Sequence, residues 1–80
     1  MVRELYKKNS DYTIYQADHL TIISVVFFGL VNYQRSFYLL PNEISTDYES
    51  LSNLPEQIRN NYDNYKGREV VPAITRERDI

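Results

Sequence analysis

Eighty residues without cysteine, 42% hydrophobic and 25% charged, with a net charge of -2, describe one small folding unit. They exclude a disulfide scaffold, a thiolate zinc site and a strongly basic nucleic-acid binder. A lone core at this length buries only about 60% of the unfolded chain's surface, so there is little apolar material to spare. Charge is spread without a block: residues 1–40 carry four Lys/Arg against three Asp/Glu, and residues 41–80 carry five against eight.

The start, MVRELYKKN, leads into no apolar stretch with a small-residue cleavage site, so it does not read as a signal peptide. VRELYKK suits either a strand or a short helix, and Asn9-Ser10-Asp11 after it is turn chemistry. DYTIYQAD reads as a strand of β-branched and aromatic residues, closed by a turn at Asp18-His19. The run from Leu20 to Val31 is apolar almost throughout. At 12 residues it is too short for a helix crossing a membrane, which needs about 20. Its β-branched and aromatic residues make it the central strand, with Gly29 permitting a bend. RSFYLLP follows the polar NYQ as the second arm of a hairpin, and Pro41 ends the pairing.

Beyond Pro41 the chain changes character. Residues 41–54 read as a connecting segment in which Thr46 and Glu49 have the spacing of a capping box. Pro55 at a first helical position, Glu56 after it, Lys66 at the far end and Gly67 as a cap predict one main helix over about 55–66. Leu54, Ile58, Tyr62 and Tyr65 form its apolar stripe, opposite Arg59, Asn60, Asp63 and Asn64. REVVPAIT reads as an edge strand interrupted by Pro72, and residues 76–80 as a frayed tail. The expectation is a single α+β domain: a small antiparallel sheet of three or four strands with that helix packed on it.

The central strand poses the main question. Its even positions (Leu20, Ile22, Val26, Phe28) and its odd ones (Ile23, Val25, Phe27) are apolar alike, so both faces want cover. One helix with a narrow stripe covers one face. Either the sheet curls into a small barrel, or the chain's own VRELYKK segment and the loop around Tyr48 fold over the other face, or another chain does.

Site chemistry is sparse. His19 is the only histidine and sits in a turn beside Asp18, a poor arrangement for a base and its orienter. The acidic residues lack calcium-loop spacing, and Gly67 without a second glycine makes no phosphate cradle. The chain reads as a non-enzyme with no cofactor or metal. Tyrosine excess, eight of eleven aromatics, points to protein contact, because Tyr and Arg combine area with a polar end. Tyr15, Phe27, Tyr33, Arg35 and Tyr38 form the expected interface. The expected function is a protein-binding module, a small intracellular (cytoplasmic) inhibitor or adaptor of a larger assembly of the viral or mobile-element type. A homodimer is one form of that contact, and no membrane is involved. The alternative is a single-stranded nucleic-acid binder stacking bases on an aromatic sheet face.

Overall fold

The computed structural model describes residues 2–43, 51 and 53–75. Their sheet is a five-stranded antiparallel meander, one strand more than the upper expectation: β1 (Val2–Lys8), β2 (Tyr12–Ala17), β3 (Leu20–Phe27), β4 (Tyr33–Tyr38) and β5 (Glu69–Val70) pair in chain order. VRELYKK is therefore a strand, paired from Val2 opposite Ala17 to Lys8 opposite Tyr12, with a register shift between Glu4 and Tyr6. Ser10 and Asp18 hold the two tight turns with φ of 63° and 56°, a left-handed conformation that short polar side chains tolerate. The expected capping box and the frayed tail lie outside the described residues.

The main helix is shorter than expected. It runs as α1 over Leu54–Asn60, stops at Asn61, and resumes as α2 over Tyr62–Tyr65 before a 3-10 turn at Lys66–Arg68. Asn61 leaves helical geometry (φ -131°, ψ 42°), and its backbone N–H and side-chain amide both donate to the Gln57 carbonyl. Asparagine competes for backbone partners in this way, which is why it ends helices. Gly67 lies inside the 3-10 turn without a positive φ, so it is no left-handed cap.

Alternation along the strands sorts the core onto two faces. On one, Tyr12, Ile14, Ile23, Val25, Phe37 and Leu39 are buried under Ile58 of α1, with Leu54, Tyr62 and Tyr65 packed beside it, so the expected stripe does cover this face. The other is covered by a later part of the chain, while the loop around Tyr48 lies outside the described residues. After β5 the chain passes through a cis Val71–Pro72 peptide and drops Ile74 onto Val2, Tyr15 and Ile22. Between Ile74 and the sheet lie two fully buried serines. Ser24 Oγ donates to the Ile74 carbonyl at 2.5 Å, the Ile74 N–H donates to Ser36 Oγ at 2.8 Å, and the two hydroxyls are 2.7 Å apart. Among the described residues no buried side-chain polar atom lacks a partner.

Two arginines tie helix to sheet at opposite ends. Arg59, expected on the wet side of the helix, is only about one-fifth exposed: its Nε donates to the Val26 carbonyl at 2.6 Å and its Nη2 meets Asp11 Oδ1 at 2.8 Å. Arg68 pairs with Glu43 at 2.5 Å and donates to the Tyr38 carbonyl. Burial works to raise the Glu43 carboxyl, but the hydrogen bonds from Arg68 and the Leu40 N–H prevail and hold it below its ordinary range.

Because each face is plugged by one isoleucine from outside the four long strands, Ile58→Ala and Ile74→Ala are each expected to cost about 2–5 kcal/mol. Val71→Ala, at an exposed position, should stay within about 0.5 kcal/mol. Urea midpoints of the three variants check this; an unchanged midpoint for Ile74→Ala would refute the second cover.

Candidate functional site: the apolar tip of the β3–β4 hairpin

Phe27 is the last residue of β3 and Tyr33 the first of β4, and they face each other in register. The hairpin loop is thus Phe28-Gly29-Leu30-Val31-Asn32, and the expected polar turn NYQ in fact contributes Tyr33 and Gln34 to β4. A loop normally presents polar residues to water. This one presents Phe28 at 61% exposure, Val31 at 77% and a fully exposed Leu30. Gly29 has room for a Cβ, its nearest neighbour being the Val31 carbonyl oxygen at 3.8 Å, so the bend needs no glycine.

The base of the tip is rigid on both sides. Phe28 lies over the Arg59 guanidinium at 4.8 Å, and that guanidinium is anchored to the ends of β2 and β3 through Asp11 and Val26. On the helix side Phe27 stacks on Tyr33 with centroids 5.7 Å apart and meets Tyr62 edge-on at 6.1 Å. Arg35 enters this aromatic group, 5.3 Å from the Tyr33 ring and 4.8 Å from the Tyr62 ring, and pairs with Glu69 at 3.0 Å. Tyr62 donates its hydroxyl to the same carboxylate at 2.5 Å. Tyr62 opens α2 directly after the Asn61 break.

The five expected interface residues divide. Phe27, Tyr33 and Arg35 come together at the base of the tip, with Tyr33 about half exposed. Tyr38 lies exposed at the far end of β4, away from them. Tyr15 is 2% exposed beneath Ile74 and has no surface to offer, because its cover comes from a residue far along the chain. The tip itself, Phe28, Leu30 and Val31, was missed because its residues were read as a continuation of the central strand. The signal was present: Phe28-Gly29-Leu30-Val31 lies in the place where a hairpin needs its turn.

Beside the tip, on the face that bears Val26 and Gln34, is an open cleft of about 400 Å³ lined by Lys7, Asn9, Ser10, Val26, Asn32, Tyr33 and Gln34. Elsewhere no group of three or more His, Cys, Asp or Glu is placed to hold a metal among the described residues, and none of their helices is long and apolar enough to cross a membrane. His19 is exposed in the two-residue turn at the opposite end of the sheet. No family model, curated protein or solved structure matches this chain.

The Tyr62 phenol is raised above its ordinary 10.0, first by the hydrogen bond to Glu69, then by burial and the carboxylate's charge. A folded pKa above the unfolded one gives stability that is whole below pH 10.0 and declines as pH rises through the folded value. Unfolding midpoints taken from neutral to strongly alkaline pH should therefore fall more steeply for the natural chain than for Tyr62→Phe. Parallel curves would mean that the phenol and Glu69 are not coupled.

Proposed function

We propose that this domain is a non-enzymatic protein-binding module whose contact surface is the β3–β4 tip. The observation that supports it is the exposure of Phe28, Leu30 and Val31 on a hairpin whose base is held by Arg59 and the Arg35 cluster. A chain with so little apolar surface to spend, and which covers both faces of its sheet, nonetheless leaves Phe28, Leu30 and Val31 together in water on one loop. Such groups mark binding sites. Rigid presentation lowers the ordering cost of association, and Tyr33 beside the tip is of a type enriched at interface centres. Inhibition or adaptation of a larger assembly inside the cell is the form of binding that suits a small chain without reactive groups.

Nucleic acid is the weaker reading. The stacking platform it requires needs several aromatics on one open face, whereas Tyr12 and Tyr15 are buried on opposite faces and the net charge is -2.

Affinity capture with the full chain from its native cell tests the proposal. Phe28→Ser and Leu30→Ser should each lower partner retention about tenfold or more, as hot-spot substitutions do. Gly29→Ala and the distal His19→Ala should leave it unchanged. Retention that survives both tip substitutions, or that collapses steeply with added salt as phosphate contacts do, would overturn this reading.

A further inference from the structure

The tip presents a few hundred Å² of apolar surface at most, less than the roughly 800 Å² per side of a standard interface. A partner that engages it must also use what lies beside it, and that is the Lys7 cleft, which shares Asn32 and Tyr33 with the hairpin. The cleft has a definite chemistry. Its lining holds one ammonium, the side-chain amides of Asn9, Asn32 and Gln34 and the Ser10 hydroxyl, and no carboxylate. Lys7 makes no ion pair among the described residues, whereas the neighbouring Lys8 and Arg59 share the one carboxylate of Asp11 and Arg35 is paired with Glu69. This end therefore carries an excess of positive charge, and Lys7, with no carboxylate in the lining, brings part of it to the cleft. A partner surface that brought a cation there would leave two like charges facing each other, and one that brought only apolar groups would strand the ammonium.

We propose that the partner recognised by this domain is a protein surface on which an apolar socket lies beside an Asp or Glu side chain, the socket taking Phe28, Leu30 and Val31 and the carboxylate entering the Lys7 cleft. The inference rests on the protein-binding reading above and adds the chemistry of the partner. A lipid bilayer with anionic headgroups offers the same pair of features, but the domain's net charge of -2 opposes approach to an extended anionic surface, whereas a single acidic residue is met locally.

The test uses the full chain and three small probes of one shape: phenylacetate, its neutral counterpart phenylacetamide and the cationic phenethylamine. In a titration followed by backbone amide shifts, Lys7, Ser10 and Asn32 should respond to phenylacetate with an affinity about five-fold or more above that for phenylacetamide, the size of one charge-assisted hydrogen bond. Lys7→Gln should abolish that preference while Leu30→Ser leaves it. An equal response to all three probes, a stronger response to the amine, or no response in the cleft overturns the acidic-partner inference. The protein-binding reading stands or falls separately, on tip-dependent capture. Sedimentation with phosphatidylcholine vesicles, with and without phosphatidylserine, is expected to leave the domain in the supernatant; Leu30-dependent binding to the anionic vesicles would assign the site to lipid and overturn a protein source.

Discussion

Two buried hydroxyls grip both backbone groups of one residue, and the rest of the architecture depends on that grip. Ser24 and Ser36 sit opposite each other on β3 and β4, at the middle of the second face and beside the buried Thr13 of β2. A buried hydroxyl without a partner costs about 1–3 kcal/mol, so two of them would be a liability in a chain of this size. Ile74 resolves the liability: its N–H and carbonyl satisfy the serines while its side chain fills the space between Val2, Tyr15 and Ile22. The same atoms are needed in the other direction, because an extended segment lying on a sheet face, rather than at its edge, has no ladder to join. Without the serines the strap has nothing to hold it; without the strap they are orphans.

That mutual requirement explains how one short helix suffices. β3 is apolar on both faces, and the helix stripe covers only the side of Ile23 and Val25. The second layer is a single extended segment, which costs far fewer residues than a second helix. It is positioned by β5, a strand of two residues whose pairing with Ser36 and Phe37 delivers Val71 and Pro72 at the sheet edge, from where the chain turns onto the face. Pro72 ends the ladder at that place, as its lack of an N–H requires.

Much of this was legible in the sequence and some was not, for identifiable reasons. β2, β3, the Asp18-His19 turn and the helix stripe follow from period and propensity, which act over a few residues. The need for a second cover was legible from the doubled apolar pattern of β3. Its supplier was not, because Ile74 is 50 residues from Ser24 and one isoleucine carries no periodicity. Arg59 differs for a related reason: helical phase puts it opposite the stripe, but a long side chain reaches round a short helix to the carbonyl of Val26. The hairpin tip was hidden by its composition, since an apolar loop and an apolar strand read alike until the register of Phe27 with Tyr33 is known. The candidate site was therefore half legible, its base through Phe27, Tyr33 and Arg35, its apex not at all.

The edges of the sheet bear on where association can occur. A flat, bare edge strand invites another strand to join it. Here β1 carries Arg3, Glu4, Lys7 and Lys8 among its seven residues and breaks its register near Leu5, while β5 offers only two residues. Charges, a bulge and shortness are the means by which edges are made unattractive to further strands. Growth of the sheet by strand addition is thus opposed on both sides, and both faces are already covered. The β1–β2 turn and the β3–β4 hairpin project together at one end of the sheet. There the apolar tip and the Lys7 cleft lie within one patch, fixed from beneath by Arg59. With strand addition opposed at both edges, Phe28, Leu30 and Val31 are held clear of the sheet's own pairing on a support braced by Arg59.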